Sequence, residues 1–131
     1  MSISILLVDD NQTFLSAVRQ FLQLLSDVQI VGEANDGRTA LLLAAKLRPD
    51  LMLLDITLTT LSGLEVARAM QFWPHRPKVV FLSMHDSAAY REAAEGLGAL
   101  GYVDKADFVV NLIPIIEQII ADKPHGSTEN S

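Results

Sequence analysis

The chain contains no cysteine. That excludes a disulfide framework, a thiolate metal site and a cysteine nucleophile. Aromatic residues make up only 6 % of it, so Leu, Ile, Val and Ala must fill any core. There is no basic run, and 10 Lys plus Arg against 16 Asp plus Glu give a formal net charge of −6. Such a chain is a poor candidate for binding nucleic acid by itself. No apolar stretch reaches the roughly 18 residues of a membrane span. The start, MSISILLVDD, lacks the basic region of a signal peptide, and its apolar run ends in two aspartates. A cytoplasmic protein with no membrane partner is expected. What the chain does have is 131 residues, half of them hydrophobic, enough for one domain with a core of its own.

Two kinds of apolar segment alternate. Ile3–Val8, Val28–Val31, Leu51–Leu54 and Val79–Leu82 are short and mostly branched, and read as buried strands, with Gly101–Val103 a weaker fifth. Between them lie stripes of helical period: Phe14, Val18, Phe21, Leu22 and Leu25; Ala40, Ala44 and Leu47, opened by Asp36 or Gly37; Leu64, Ala67 and Met70; Ala89, Ala93 and Leu97. The last helix carries Leu112, Ile116 and Ile119, with Ile113, Ile115 and Ile120 in excess of one core-facing stripe. That excess fits either deeper burial or an interface for a homodimer or an output partner. Pro114 conflicts with a helix interior, where it would cost about 3 kcal/mol or more. The simpler expectation starts this helix late, with Asn111 as N-cap; the alternative is a start near Asp107 with a kink near Val110. Five such units imply an α/β fold with a doubly wound, five-stranded parallel sheet in the order 2-1-3-4-5, flavodoxin-like in type.

Ligands of such sheets bind beyond the carboxyl ends of the strands, where the strand order reverses. The first strand ends in Asp9 and Asp10, the third in Asp55, the fourth in Ser83, and Lys105 follows the fifth. With the first and third strands adjacent, three carboxylates meet beside a hydroxyl and an ammonium. Their mutual repulsion calls for a cation, and oxygen-only ligands favour a hard one, Mg²⁺ best of all. A carboxylate can also act as nucleophile and become an aspartyl phosphate, with Lys105 and Ser83 neutralising phosphoryl oxygens. Taken singly, each residue has a plainer reading. Asp9 or Asp10 could cap the first helix, Ser83 could bond to nearby backbone, Lys105 could be solvated and Tyr102 could be core. Asp55 is harder to explain so, because a lone carboxylate at the end of an apolar strand is costly to bury.

LLVDD at 6–10, LLDITLTTLSGLE at 53–65, VVFLSMHD at 79–86 and GALGYVDKAD at 98–107 together resemble the receiver domains of two-component response regulators. The resemblance covers about residues 3–121 and is nearest to receivers of NarL-like (LuxR-type) transcription factors. It implies a receiver domain over residues 1–122 and a polar tail or linker start over 123–131. Asp55 would be the phosphoacceptor. Asp9, Asp10, Asp55 and the backbone carbonyl of Thr57 would hold Mg²⁺. Lys105 would pair with the phosphoryl group, Ser83 and Tyr102 would form the switch, and Thr57 and His85 would modulate dephosphorylation. The implied function is a phosphorylation-activated signalling switch served by a histidine kinase, not an enzyme. Its output would come through protein contacts of this domain or through a helix-turn-helix domain that these residues do not contain.

Three positions depart from the family pattern. Thr59 stands where proline is usual, Ala106 follows Lys105 where proline is frequent, and Met84 is bulky where small residues are common and could narrow access to Asp55. A cis bond before Ala106 would cost about 3 kcal/mol, so a trans bond is expected. Other readings stay open at this point. A phosphatase with an aspartyl nucleophile would need a second acid where Thr57 stands. A flavin-binding protein would need a phosphate loop where Asp9 and Asp10 stand. A receiver that is never phosphorylated, acting by protein contact alone, remains compatible with Met84 and Thr59.

Overall fold

The computed structural model describes residues 2–85 and 87–123. Strands β1 (Ile3–Val8), β2 (Val28–Ala34), β3 (Leu51–Asp55), β4 (Lys78–Ser83) and β5 (Gly101–Asp104) alternate with helices α1 (Gln12–Gln23), α2 (Gly37–Leu47), α3 (Gly63–Ala69), α4 (Ala88–Gly96) and α5 (Phe108–Asp122). A 3-10 turn over Lys105–Asp107 leads into α5. All pairings are parallel and the order is β2-β1-β3-β4-β5, as the alternation of elements predicts.

Successive side chains of a strand point to opposite faces, and here each face has its own core. Leu6, Val8, Met52, Leu54, Val79 and Phe81 pack with Ala40 and Ala44 of α2, Val66, Ala67 and Met70 of α3, and Ala94 of α4. Ile3, Ile5, Leu7, Leu51, Leu53, Val80, Leu82 and Val103 pack with Leu15, Val18 and Leu22 of α1 and Leu112, Ile116 and Ile119 of α5. Burial on both faces explains why the inner strands read as unbroken apolar runs. Trp73 packs against the first of these cores.

The structure corrects three sequence expectations. β2 runs on to Ala34 instead of ending at Val31. Its register on β1 skips one residue, Ile5 facing Ile30 and Leu6 facing Gly32, and on this half-exposed edge Glu33 makes a bidentate pair with Arg19 at 2.6 and 2.8 Å. The buried line of α4 is Tyr90, Ala94 and Leu97, not Ala89, Ala93 and Leu97; Ala89 is exposed. Finally, α5 starts at Phe108 with Asp107 as N-cap, which matches the alternative start near Asp107 and not the simpler one after Asn111, so Pro114 lies inside the helix. Its ring removes the hydrogen bond that the Val110 carbonyl would otherwise accept. That end of the helix faces outward, with Val110 72 % exposed, so water can take the place of the missing N–H. Of the excess isoleucines, Ile115 and Ile120 pack against the second core, whereas Ile113 is exposed.

No peptide bond among the described residues is cis, so Lys105–Ala106 is trans as expected. No described helix is long and apolar enough to cross a membrane. Lys123, assigned to the polar tail from its sequence, caps α5, and its ammonium donates to the Ser2 carbonyl (2.8 Å) and to Asp50 Oδ2 (3.0 Å). The rest of the tail, and Asp86, three residues after Ser83, lie outside the described residues.

Candidate functional site

The carboxyl ends of β1, β3, β4 and β5 bring Asp9, Asp10, Asp55, Ser83 and Lys105 to one edge of the sheet. Asp9, Asp55, Ser83 and Lys105 are buried, while Asp10 is exposed. Neither Asp9 nor Asp10 caps α1. Asn11 does, its Oδ1 accepting the Phe14 N–H at 3.0 Å. The aspartates are thus left for the site, and the Asn11 N–H donates to Asp9 Oδ1 at 2.9 Å. One oxygen from each of Asp9, Asp10 and Asp55 lies within 4.8 Å of the others.

Lys105 Nζ stands 2.6 Å from Asp9 Oδ2 and 3.5 Å from Asp55 Oδ2. The nearer contact is a close ion pair, and the buried Asp9 Oδ2 has no other partner among the described residues. Burial pushes the Asp9 carboxyl above its ordinary value; Lys105 and the Asn11 N–H pull it down, and the Asp55 charge adds to the rise. Asp55 itself is oriented by Thr57, whose N–H (3.1 Å) and hydroxyl (3.3 Å) both donate to Oδ1.

Three clustered carboxylates with one ammonium leave a surplus of negative charge, and the donors are all oxygen. The buried Asp9 Oδ2 has the Lys105 ammonium as its one partner among the described residues, which leaves it free to accept a further positive charge. These features fit a hard divalent cation such as Mg²⁺.

The Ser83 hydroxyl donates to the His85 carbonyl (2.7 Å) and accepts the His85 N–H (3.1 Å). The Tyr102 hydroxyl donates to the same carbonyl at 3.1 Å. The two hydroxyls thus meet on one backbone oxygen, and the Arg91 guanidinium lies 4.6 Å from the centre of the Tyr102 ring. Met84 is 64 % exposed. In the loop after Asp55, Thr60 has φ of +68°, a left-handed conformation that a β-branched residue adopts only under strain.

Residues 5–116 match the response regulator receiver domain. The chain belongs to this family. Among curated relatives, the receiver is 32 % identical to the transcriptional regulatory protein DegU of Brevibacillus brevis, over 88 % of this chain and 50 % of that one. It is 40 % identical to the transcriptional regulatory protein BtsR of Escherichia coli K12, over 71 % of this chain and 38 % of that one. It therefore spans about half or less of these two relatives. Among solved structures it resembles a LuxR-family two-component response regulator from Aurantimonas sp. SI85-9A1, with a TM-score of 0.85 and 29 % identity over 94 % of this chain and 88 % of that one.

Two residues that touch the receiver's site carry no functional role in the sequence reading. Phe14 belongs by its spacing to the core stripe of α1, yet its ring centre lies 4.7 Å from Lys105 Nζ. Gly63 sits inside the motif LSGLE, and its missing side chain makes room for the backbone of Asp55. A glycine at a helix start was a visible signal for the second; the first had none, because its partner lies at the other end of the chain.

Proposed function

We propose that this receiver is a phosphorylation-dependent switch. Asp55 takes a phosphoryl group from the phosphohistidine of a histidine kinase, with Mg²⁺ held by Asp9, Asp10, Asp55 and the Thr57 carbonyl. The observation that carries this reading is the buried Lys105 ammonium standing between Asp9 and Asp55 while the oxygens of Asp9, Asp10 and Asp55 converge within 4.8 Å.

An Asp55 oxygen forms the new bond to phosphorus as the bond to the donor imidazole breaks, and the imidazole keeps the electron pair. When bound, Mg²⁺ supplies positive charge against the phosphoryl oxygens. Lys105 supplies more from inside the fold, where charge counts for most. Thr57 holds the acceptor carboxylate in one orientation. Ser83 turns its hydroxyl from the His85 carbonyl to a phosphoryl oxygen, which leaves that carbonyl to Tyr102 alone. The balance between two arrangements of the β4–α4–β5 surface shifts accordingly. Thr57, His85 and Met84, at the mouth of the site, tune how long the phosphoryl group stays. The domain is a switch and not an enzyme, since the group it modifies is its own side chain. We further infer that it works in the cytoplasm, that the shifted surface binds a second copy or an output partner, and that DNA, as the names of DegU and BtsR suggest, is reached through another domain.

Acetyl phosphate and beryllofluoride, each with Mg²⁺, test the reading. The wild type is expected to gain the mass of one phosphoryl group and to change spectrally with beryllofluoride, and Asp55→Ala to do neither. A wild type inert to both reagents refutes it.

A further inference from the structure

We propose that Phe14 is a positioning residue for Lys105: its ring face holds the ammonium between Asp9 and Asp55. The proposal rests on the phosphoacceptor role of Asp55 argued above and adds what keeps the neutralising charge in place.

Lys105 is 7 % exposed, so water contributes little to fixing its ammonium. The two carboxylates hold it unequally, with Asp9 Oδ2 at 2.6 Å and Asp55 Oδ2 at 3.5 Å. Coulomb attraction alone draws the ammonium toward Asp9, its nearer partner, and away from Asp55 at 3.5 Å. The Phe14 ring, 4.7 Å away at its centre, is well within the roughly 6 Å over which a ring face attracts a cation. It is a neutral partner, so it holds the ammonium without competing with a phosphoryl group for charge.

The ring is itself held from two directions. Asn11 accepts the Phe14 N–H and donates its own N–H to Asp9, so the ring and the Asp9 carboxylate belong to one capped turn. On the other side, Phe108 meets Phe14 edge-on at 5.3 Å and 71°, and Phe21 meets Phe108 at 5.8 Å and 83°. Phe108 follows directly on the turn that carries Lys105. The path Lys105, Phe108, Phe14 and back to Lys105 is therefore closed. A residue needed only for volume would do its work as an aliphatic side chain; the ring face is what an aliphatic cannot supply.

The test compares wild type, Phe14→Leu, which fills space without a π face, and Phe14→Tyr, which keeps the face. Beryllofluoride affinity in Mg²⁺ is measured without a kinase, so it reports on the site alone. The Lys105 Hε resonances are recorded by NMR, and melting temperatures are followed alongside. Ring-current-shifted, upfield Hε signals are expected in wild type and Phe14→Tyr and not in Phe14→Leu. Affinity is expected to fall roughly tenfold in Phe14→Leu, the scale of a desolvated cation–π contact, and to stay near wild type in Phe14→Tyr. If Phe14→Leu does not fold, Phe14→Met takes its place with the same expectations. An aliphatic variant that binds like wild type, a Phe14→Tyr variant that binds as poorly as the aliphatic one, or unshifted Hε signals in wild type overturns the role of Phe14. A wild type that binds no beryllofluoride instead overturns the phosphoacceptor reading on which it rests.

Discussion

Gly63→Ala should damage the fold and the site together, and the cause is a single atom. Gly63 opens α3 directly behind Asp55, and its N–H donates to the Ile56 carbonyl at 3.1 Å. A Cβ built there overlaps the carbonyl oxygen of Asp55 and stands 2.9 Å from Ile56 Cα and 3.0 Å from the Asp55 carbonyl carbon. All three are backbone atoms, so no side chain can swing aside. Ordinary contact requires the start of α3 to retreat from β3 by roughly 1 Å. Overpacking costs about 1–3 kcal/mol, and the upper end applies where backbone must move. Loss of the Gly63–Ile56 hydrogen bond adds about 1 kcal/mol. The loss of about 3–4 kcal/mol should lower the melting temperature by on the order of 10 °C or more for a domain of this size. Gly96→Ala is the matched control: nothing lies within 4 Å of its Cβ position at the end of α4, and alanine there should be neutral or stabilise by up to about 1 kcal/mol. Thermal unfolding of both variants decides the matter, with beryllofluoride affinity reporting whether Asp55 has moved. A Gly63→Ala protein that melts with the wild type refutes the steric argument.

Pro114→Ala should stabilise the domain by about 2 kcal/mol, since Pro costs roughly 3 kcal/mol against Ala inside a helix and part of that returns through a freer unfolded chain. A denaturant midpoint no higher than that of wild type would show that α5 is not helical through residue 114. Burial alone would raise the Asp50 carboxyl, but the Ser4 N–H, the Lys123 ammonium and the Ser4 hydroxyl outweigh it and hold the carboxyl below its ordinary value. Such a group stabilises the fold in its charged form, so Asp50→Asn should cost about 1 kcal/mol at neutral pH. The gap to wild type should vanish as pH falls from the ordinary carboxyl value through the lower one that Asp50 has in the fold. Denaturation curves at neutral and acid pH test this, and a gap that persists in acid counts against it.

The parts of the fold that the sequence shows are those decided locally. Leu51–Leu54 could be read as a strand buried on both faces because nothing polar interrupts it, and the strand order followed from the alternation of elements. That order alone put Asp9, Asp10 and Asp55 together. Where two local signals compete, tertiary packing decides. Alanines at 88, 89, 93 and 94 offer α4 two buried lines one residue apart; Tyr90, packed against the core, selects one of them. The rule against proline inside a helix argued for a late start to α5, but Phe108 anchors an earlier one by its contacts with Phe14 and Phe21. The plain reading of Ser83, a hydroxyl bonded to nearby backbone, also describes what the structure contains. It does not compete with the switch role proposed for Ser83, because a hydroxyl that is to change partners must have one to leave.

The scarcity of aromatics gains meaning from where they lie. With five phenylalanines in the chain, a core short of large side chains would be expected to hold most of them. Only Phe81 is fully buried in the core, and Phe72 is 89 % exposed. The other three, Phe14, Phe21 and Phe108, stand in one file that ends on the ammonium of Lys105. Aliphatic residues could have filled this place as they do in the rest of the core that α1 and α5 share, which holds Leu15, Val18, Leu22, Leu112, Ile116 and Ile119. Rings are used at the one end of that interface where a buried cation needs a partner that is neither a carboxylate nor water. Composition could announce the shortage; only the packing of the two ends of the chain reveals what the few rings are for.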